Sequence, residues 1–213
     1  KLEKGTIAQY SALKFDKTGL QLASVGGNPD YMLTIWDWEK EQIVLRTKAF
    51  GQDVYNVSFS PYTDGYLTSS GSGHIKFWKM AQTFTGLKLQ GQIGKFGKVN
   101  ISDIFAYAEM PDGKVLSGSE HGELLLWEGN LIKILFTRTG GAPCHDGAVE
   151  YVQLQDNTFV TAGADGYVRF WPFDVIDSAE PTDTSYTMEL EPLNEIKISQ
   201  FNRTAKITTL AMN

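Results

Sequence analysis

The chain has one cysteine in 213 residues, Cys144, so no intrachain disulfide can form and a reducing compartment is the expected setting. No stretch approaches the roughly 18 consecutive apolar residues of a membrane span, and no secretory leader pattern is present. Lys and Arg never cluster in fours, and the net charge is −6. Nucleic acid binding draws most of its affinity from phosphate neutralisation, so it is disfavoured as a primary role. Histidine is scarce too: His74, His121 and His145 do not supply the three or four converging ligands that a zinc site needs. The chain begins Lys1-Leu2 instead of Met, which reads as a piece of a longer protein.

What the chain has in quantity is glycine, 21 residues, and aromatic side chains, 12% of the total with five Trp. Glycine-rich turns between aromatic and β-branched runs are what an all-β protein needs. Four segments repeat a common pattern: 22–36 (LASVGGNPDYMLTIW), 67–78 (LTSSGSGHIKFW), 116–127 (LSGSEHGELLLW) and 160–171 (VTAGADGYVRFW). Each is a short strand ending in small residues, a turn with Gly, an alternating apolar strand and a terminal Trp. The tryptophans Trp36, Trp78, Trp127 and Trp171 lie 42, 49 and 44 residues apart, close to the period of about 40–45 residues of a WD40 blade.

Further strands fill each period. Alternating runs at 10–15, 54–59, 104–110 and 149–154 precede the repeat, and 41–48, 86–93 and 130–137 follow it as outer strands. Turn residues punctuate them: Asp16 to Gly19, Pro61 to Gly65, Pro111-Asp112-Gly113 and Asp156-Asn157. No helical periodicity is visible. The expected fold is therefore an all-β WD40 β-propeller, four blades of four antiparallel strands, forming part of a larger ring of about seven blades. The expected blades are residues 1–52, 53–100, 101–143 and 144–198, followed by an unassigned tail at 199–213.

The four tryptophans are read as blade core. A blade is covered on both faces, and Trp combines bulk with an N–H that needs an internal acceptor. Ser69, Ser117 and Thr161 in the adjoining strands are the expected acceptors. Asp165-Gly166 is the tight form of the turn entering the third strand, so Asp165 joins the structural set. Elsewhere that turn offers Asp30, Gly73 or His121-Gly122.

Catalytic patterns are missing. The segment 91–98 (GQIGKFGK) lacks the leading Gly and the final hydroxyl of a phosphate-binding loop and reads as an inter-blade loop. Ser119, Glu120 and His121 are consecutive and cannot meet as a triad, because adjacent residues of a strand face opposite ways. Cys144-His145-Asp146 reads as an exposed loop. No cofactor, metal site or enzymatic activity is expected.

Residues 174–195 stand apart: rich in Asp and Glu, without Lys or Arg, with Pro181, Pro192 and several hydroxyls. They read as a solvated loop inserted in the fourth blade. A functional reading makes them a docking arm anchored by Met188, Leu190 and Leu193.

In detail the chain resembles the WD-repeat cilia- and flagella-associated proteins over about residues 10–198. The residues that carry the likeness are Leu33-Thr34-Ile35-Trp36-Asp37-Trp38, LRTKAF at 45–50, GSGHIKFW at 71–78, TFTGLKLQG at 83–91, the run 113–133 and Pro192-Leu193-Asn194-Glu195. The resemblance implies a non-catalytic scaffold of the ciliary or flagellar axoneme. It also implies, as partners, other axonemal WD-repeat tether proteins, an inner-arm dynein heavy chain and the doublet microtubule. The alternatives are a microtubule-associated propeller resembling the echinoderm microtubule-associated family, or a WD40 adaptor outside cilia.

Overall fold

A computed structural model describes residues 2–200 and 203–211. The chain divides into two compact units, residues 1–94 and 95–213. The first holds two sheets of four strands, each a meander in which sequence neighbours pair antiparallel. One sheet is β1 (Tyr10–Phe15), β2 (Gln21–Gly26), β3 (Met32–Asp37) and β4 (Gln42–Lys48). The other is β5 (Val54–Phe59), β6 (Tyr66–Gly71), β7 (His74–Thr83) and β8 (Gly86–Ile93). The turns form where the sequence reading puts them. The Asp16 carboxylate accepts from the Gln21 N–H at 2.9 Å and the Thr18 hydroxyl at 2.6 Å, which closes the β1–β2 turn and explains why Asp sits there. Ala23, Val25, Leu33, Ile35, Leu45, Val57, Leu67 and Trp78 are buried in the core of this unit.

The second unit begins with β9 (Tyr107–Glu109), β10 (Val115–Gly118), β11 (Leu124–Glu128) and β12 (Leu131–Thr137). It continues with β13 (Val149–Gln155), β14 (Thr158–Gly163) and β15 (Tyr167–Pro172). Here the architecture departs from four strands by four. After β15 the chain makes a short helix, α1 (Phe173–Asp177), and then β16 (Thr187–Glu189), before β17 (Asn194–Lys197) completes the fourth sheet beside β15. β16 lies parallel to β12, with Phe136 opposite Met188, so the third sheet has five strands. The acidic stretch is thus a strap from the fourth sheet to the outer edge of the third and back, and its last two residues already belong to β17.

One further expectation changes, and the unassigned tail gains a structure. GQIGKFGK is not all loop, since its first three residues end β8. The tail has structure: β18 (Ser199–Gln200) pairs with β19 (Arg203–Thr204), and Ile207 and Leu210 pack on Val160, Ala162 and Val168 of the fourth sheet. Among the described residues no helix is long and apolar enough to cross a membrane.

Candidate functional site

Each sheet carries one buried indole on its third strand, and each indole N–H donates to a hydroxyl on the second strand. Trp36 donates to Ser24 at 2.8 Å, Trp78 to Ser69 at 2.9 Å, Trp127 to Ser117 at 2.9 Å and Trp171 to Thr161 at 2.8 Å. The last three acceptors are those expected from the sequence. A buried N–H left unpaired would cost about 1–3 kcal/mol, so a hydroxyl two residues along the neighbouring strand is the small side chain that this position demands.

In the fourth sheet the bond continues into a longer chain. Thr161 Oγ1 lies 2.7 Å from His145 Nε2, and His145 Nδ1 lies 2.9 Å from Asp165 Oδ1. The hydroxyl accepts from Trp171, so its own proton is available to Nε2, and the imidazole N–H then sits on Nδ1 and donates to Asp165. Asp165 also accepts from Arg169 Nη1 at 2.7 Å and from the backbone N–H groups of Asp146 and Tyr167, both at 3.1 Å. Arg169 Nε donates onward to Glu195 at 3.0 Å. Cys144-His145-Asp146 is therefore not an exposed loop: Cys144 and His145 are buried. Two glycines permit this, since a Cβ on Gly163 would collide with the His145 ring and one on Gly122 with the His145 carbonyl. In the first sheet Asp30 does a smaller version of the same work, accepting from the Thr6 hydroxyl at 2.8 Å and the Ile7 N–H at 3.0 Å.

The electrostatics follow the geometry. Burial alone would raise the Asp165 carboxyl, but the hydrogen bonds from His145 and Arg169 outweigh it and hold the group well below the usual carboxylate range. Burial lowers the His145 imidazole, with Asp165 opposing only in part. The Cys144 thiol is pushed up to about 12 by burial, so at neutral pH it is a protonated core group. Both imidazole nitrogens are engaged, so this cluster is built to hold its loops in place.

Above the chain of bonds lies an open cleft of roughly 610 Å³, bordered by Arg138, Pro143, Asp146, Tyr167, Arg169 and Glu195. The Arg169 guanidinium stacks 4.3 Å from the Tyr167 ring centre. Arg138 reaches Glu191 at 3.2 Å and Glu195 at 3.8 Å. Two guanidiniums, three carboxylates and one tyrosine ring border the cleft, which suits a polar protein segment with charges of both signs.

The strap forms one side of this region. Met188 packs against the core and Leu190 is buried within it, beside Ile176 and Ala179. Leu193, by contrast, is 66% exposed. Of the three proposed docking anchors, two are therefore engaged by the chain's own third and fourth sheets. The acidic groups also find partners at home. Lys114 holds Asp177 at 2.8 Å and Asp112 at 3.0 Å, while Lys133 holds Glu180 at 2.6 Å. Glu191 and Glu189 accept the backbone N–H groups of Thr139 and Gly140. The signal for this docking was in the sequence: Tyr186, Met188 and Leu190 alternate with Thr187, Glu189 and Glu191, a period of two that the surrounding charge and prolines conceal.

No protein-family model matches the chain. It is 55% identical over 199 residues to cilia- and flagella-associated protein 44 of Mus musculus, an alignment covering 93% of this chain and 11% of that protein. It is 57% identical over 202 residues to the protein of that name from Chlamydomonas reinhardtii, covering 93% of this chain and 12% of the relative. The chain thus spans only 11–12% of the length of these curated relatives. Among solved structures, the Cps50 (Swd1) β-propeller domain of Myceliophteria thermophila superposes with a TM-score of 0.71 at 13% identity, covering 95% of this chain and 62% of that one. That likeness establishes the fold, an all-β WD40 propeller. With more than half of the aligned residues identical along nearly its whole length, the chain belongs to the WD-repeat cilia- and flagella-associated proteins.

Proposed function

We propose that this chain is a non-catalytic scaffold segment of the ciliary or flagellar axoneme. It helps to tether an inner-arm dynein heavy chain to the doublet microtubule, together with other WD-repeat tether proteins. The observation that carries the reading is the 55–57% identity, over 93% of the chain, to proteins named for cilia and flagella. Its physical support is that the groups around Asp165 (His145, Thr161, Trp171, Arg169 and Glu195) are matched to one another, as expected of a body that must transmit force without deforming. Trp36, Trp78, Trp127, Trp171 and Asp165 are then framework residues, and partners dock on the blade faces and loops, with Leu193 the exposed member of the proposed anchors. Affinity isolation from extracts of motile cilia is expected to recover dynein and tether proteins with this chain. Recovery of chromatin or ubiquitin-ligase components alone would overturn the reading. Salt-sensitive co-sedimentation with purified microtubules, without dynein, would favour the microtubule-associated alternative.

A further inference from the structure

The outer edges of the second and third sheets are treated in opposite ways. The edge of β12 is covered by β16, an acidic alternating segment whose docking Lys133 and Arg138 reinforce from the sheet side through Glu180 and Glu191. Over residues 86–92 no strand among the described residues pairs with β8 beyond β7. β8 belongs to the longest hairpin of the chain, with β7 of 10 residues and β8 of 8. An uncovered strand edge presents a row of unpaired N–H and C=O groups, which is a template for another strand.

The chemistry around this edge is one-sided. Residues 65–94 contain Lys76, Lys79 and Lys88 and no Asp or Glu, in a chain of net charge −6. The register sets Lys79 opposite Gln90 and Ala81 opposite Lys88, so Lys79 and Lys88 project from the same face of the hairpin. Both are exposed. Lys79 lies 5.5 Å from the Tyr66 ring centre, and neither lysine forms an ion pair among the described residues, whereas Lys114 and Lys133 each form two. On that face Tyr66, Phe77, Lys79, Gln90 and Gln92 border a groove of roughly 250 Å³. β4, which also packs against β8 in the same unit, contributes Lys48 and Arg46, the latter 3.9 Å from Asp30, and no carboxylate.

We propose that the β8 edge is a docking strip for an extended acidic segment of a partner protein. The segment adds as a fifth strand, as β16 does on the third sheet. Its carboxylates, all on one face of the added strand, meet Lys88 and, one strand further in, Lys79. The backbone ladder supplies affinity and the lysines select for acidic sequence. The proposal stands on edge geometry and charge, so it survives or fails independently of the dynein reading.

The test uses the whole chain and a fluorescent peptide of alternating Glu and Val, with a Gln–Val peptide as its neutral counterpart. The expected result is binding by anisotropy together with slowed amide exchange in β8. Lys79→Glu with Lys88→Glu is expected to weaken binding about tenfold or more, and Lys79→Gln with Lys88→Gln by less. Both positions are exposed, so unchanged melting of these variants separates lost binding from lost folding. A peptide methylated on alternate backbone nitrogens should not bind. Equal affinity for the neutral peptide, exchange protection on β12 instead of β8, or displacement by a single-stranded oligonucleotide would each overturn the proposal. So would a dimer of the chain that the Lys79→Glu, Lys88→Glu pair abolishes, since the occupant would then be a second copy.

Discussion

The second and fourth sheets rest on the same bond, an indole N–H donated to a hydroxyl, and diverge above it. In the second, the turn into the third strand contains Gly73 and the adjacent His74 is stacked on Phe50 with ring centres 3.8 Å apart. In the fourth, Asp165 stands in that turn and draws His145, Arg169 and two backbone N–H groups into one network. The outer connections differ in the same sense. Two residues, Phe84 and Thr85, link β7 to β8, while residues 173–193 intervene between β15 and β17. One frame is thus completed in the second sheet by apolar stacking and a two-residue turn, and in the fourth by charge pairing and a strap that crosses to the third sheet before β17. Burying charge is favourable only when every charge is matched, so the fourth sheet depends on each member of its network and the second does not.

The largest test of this contrast is Asp165→Ala. It removes the acceptor of both Arg169 Nη1 and His145 Nδ1, leaving the guanidinium only Glu195, and is expected to cost about 3–5 kcal/mol in chemical denaturation. A loss below about 1 kcal/mol would place the two sheets on the same footing. Next in size is Leu190→Ala, expected to cost about 3 kcal/mol and to speed amide exchange in β16. The matching change on the open edge, Leu87→Ala, is expected to cost about 0.5 kcal/mol or less, because Leu87 is exposed.

Between the two leucine changes lie Trp78→Phe and Trp171→Phe, each expected to cost about 1–2 kcal/mol through a hydroxyl deprived of its donor. Their distinction lies in coupling. A double-mutant cycle between Trp171 and Asp165 should give about 0.5–1 kcal/mol through Thr161 and His145, and additivity would mean that the bonds act separately. The least effect is expected from mild acid. His145 has a lowered imidazole pKa in the folded state, so below the ordinary value of 6.5 the unfolded chain gains a proton first and stability declines. Asp165, also lowered, adds a second decline as the pH falls below the ordinary value of 3.8. Asp165→Asn should flatten that second decline, measured as melting temperature against pH.

Much of this frame was legible in the residues. Ser69, Ser117 and Thr161 could be paired with their tryptophans because strand register fixes which side chains share a face. His145 was misread because its partners, Thr161 and Asp165, lie 16 and 20 residues further on, and nothing local marks a loop histidine as buried. The best available hint was the pair of glycines, Gly122 and Gly163, whose missing side chains make room for it. The strap was misread for a related reason. Its alternating strand is short and flanked by prolines, and its carboxylates look solvated until Lys114, Lys133 and Arg138 of the third sheet are brought alongside.

By itself the sequence determined the four repeats, the antiparallel order of their first three strands, the turns between them and the indole at each center. Those follow from local rules: a period of two, turn residues with required backbone angles, and a repeat of nearly constant length. Only the tertiary structure decided where the acidic stretch goes, that His145 is buried and which outer strand edge is covered. Each of those depends on pairing between groups distant in the chain, where a carboxylate or an unpaired amide is costly or stabilising according to what faces it.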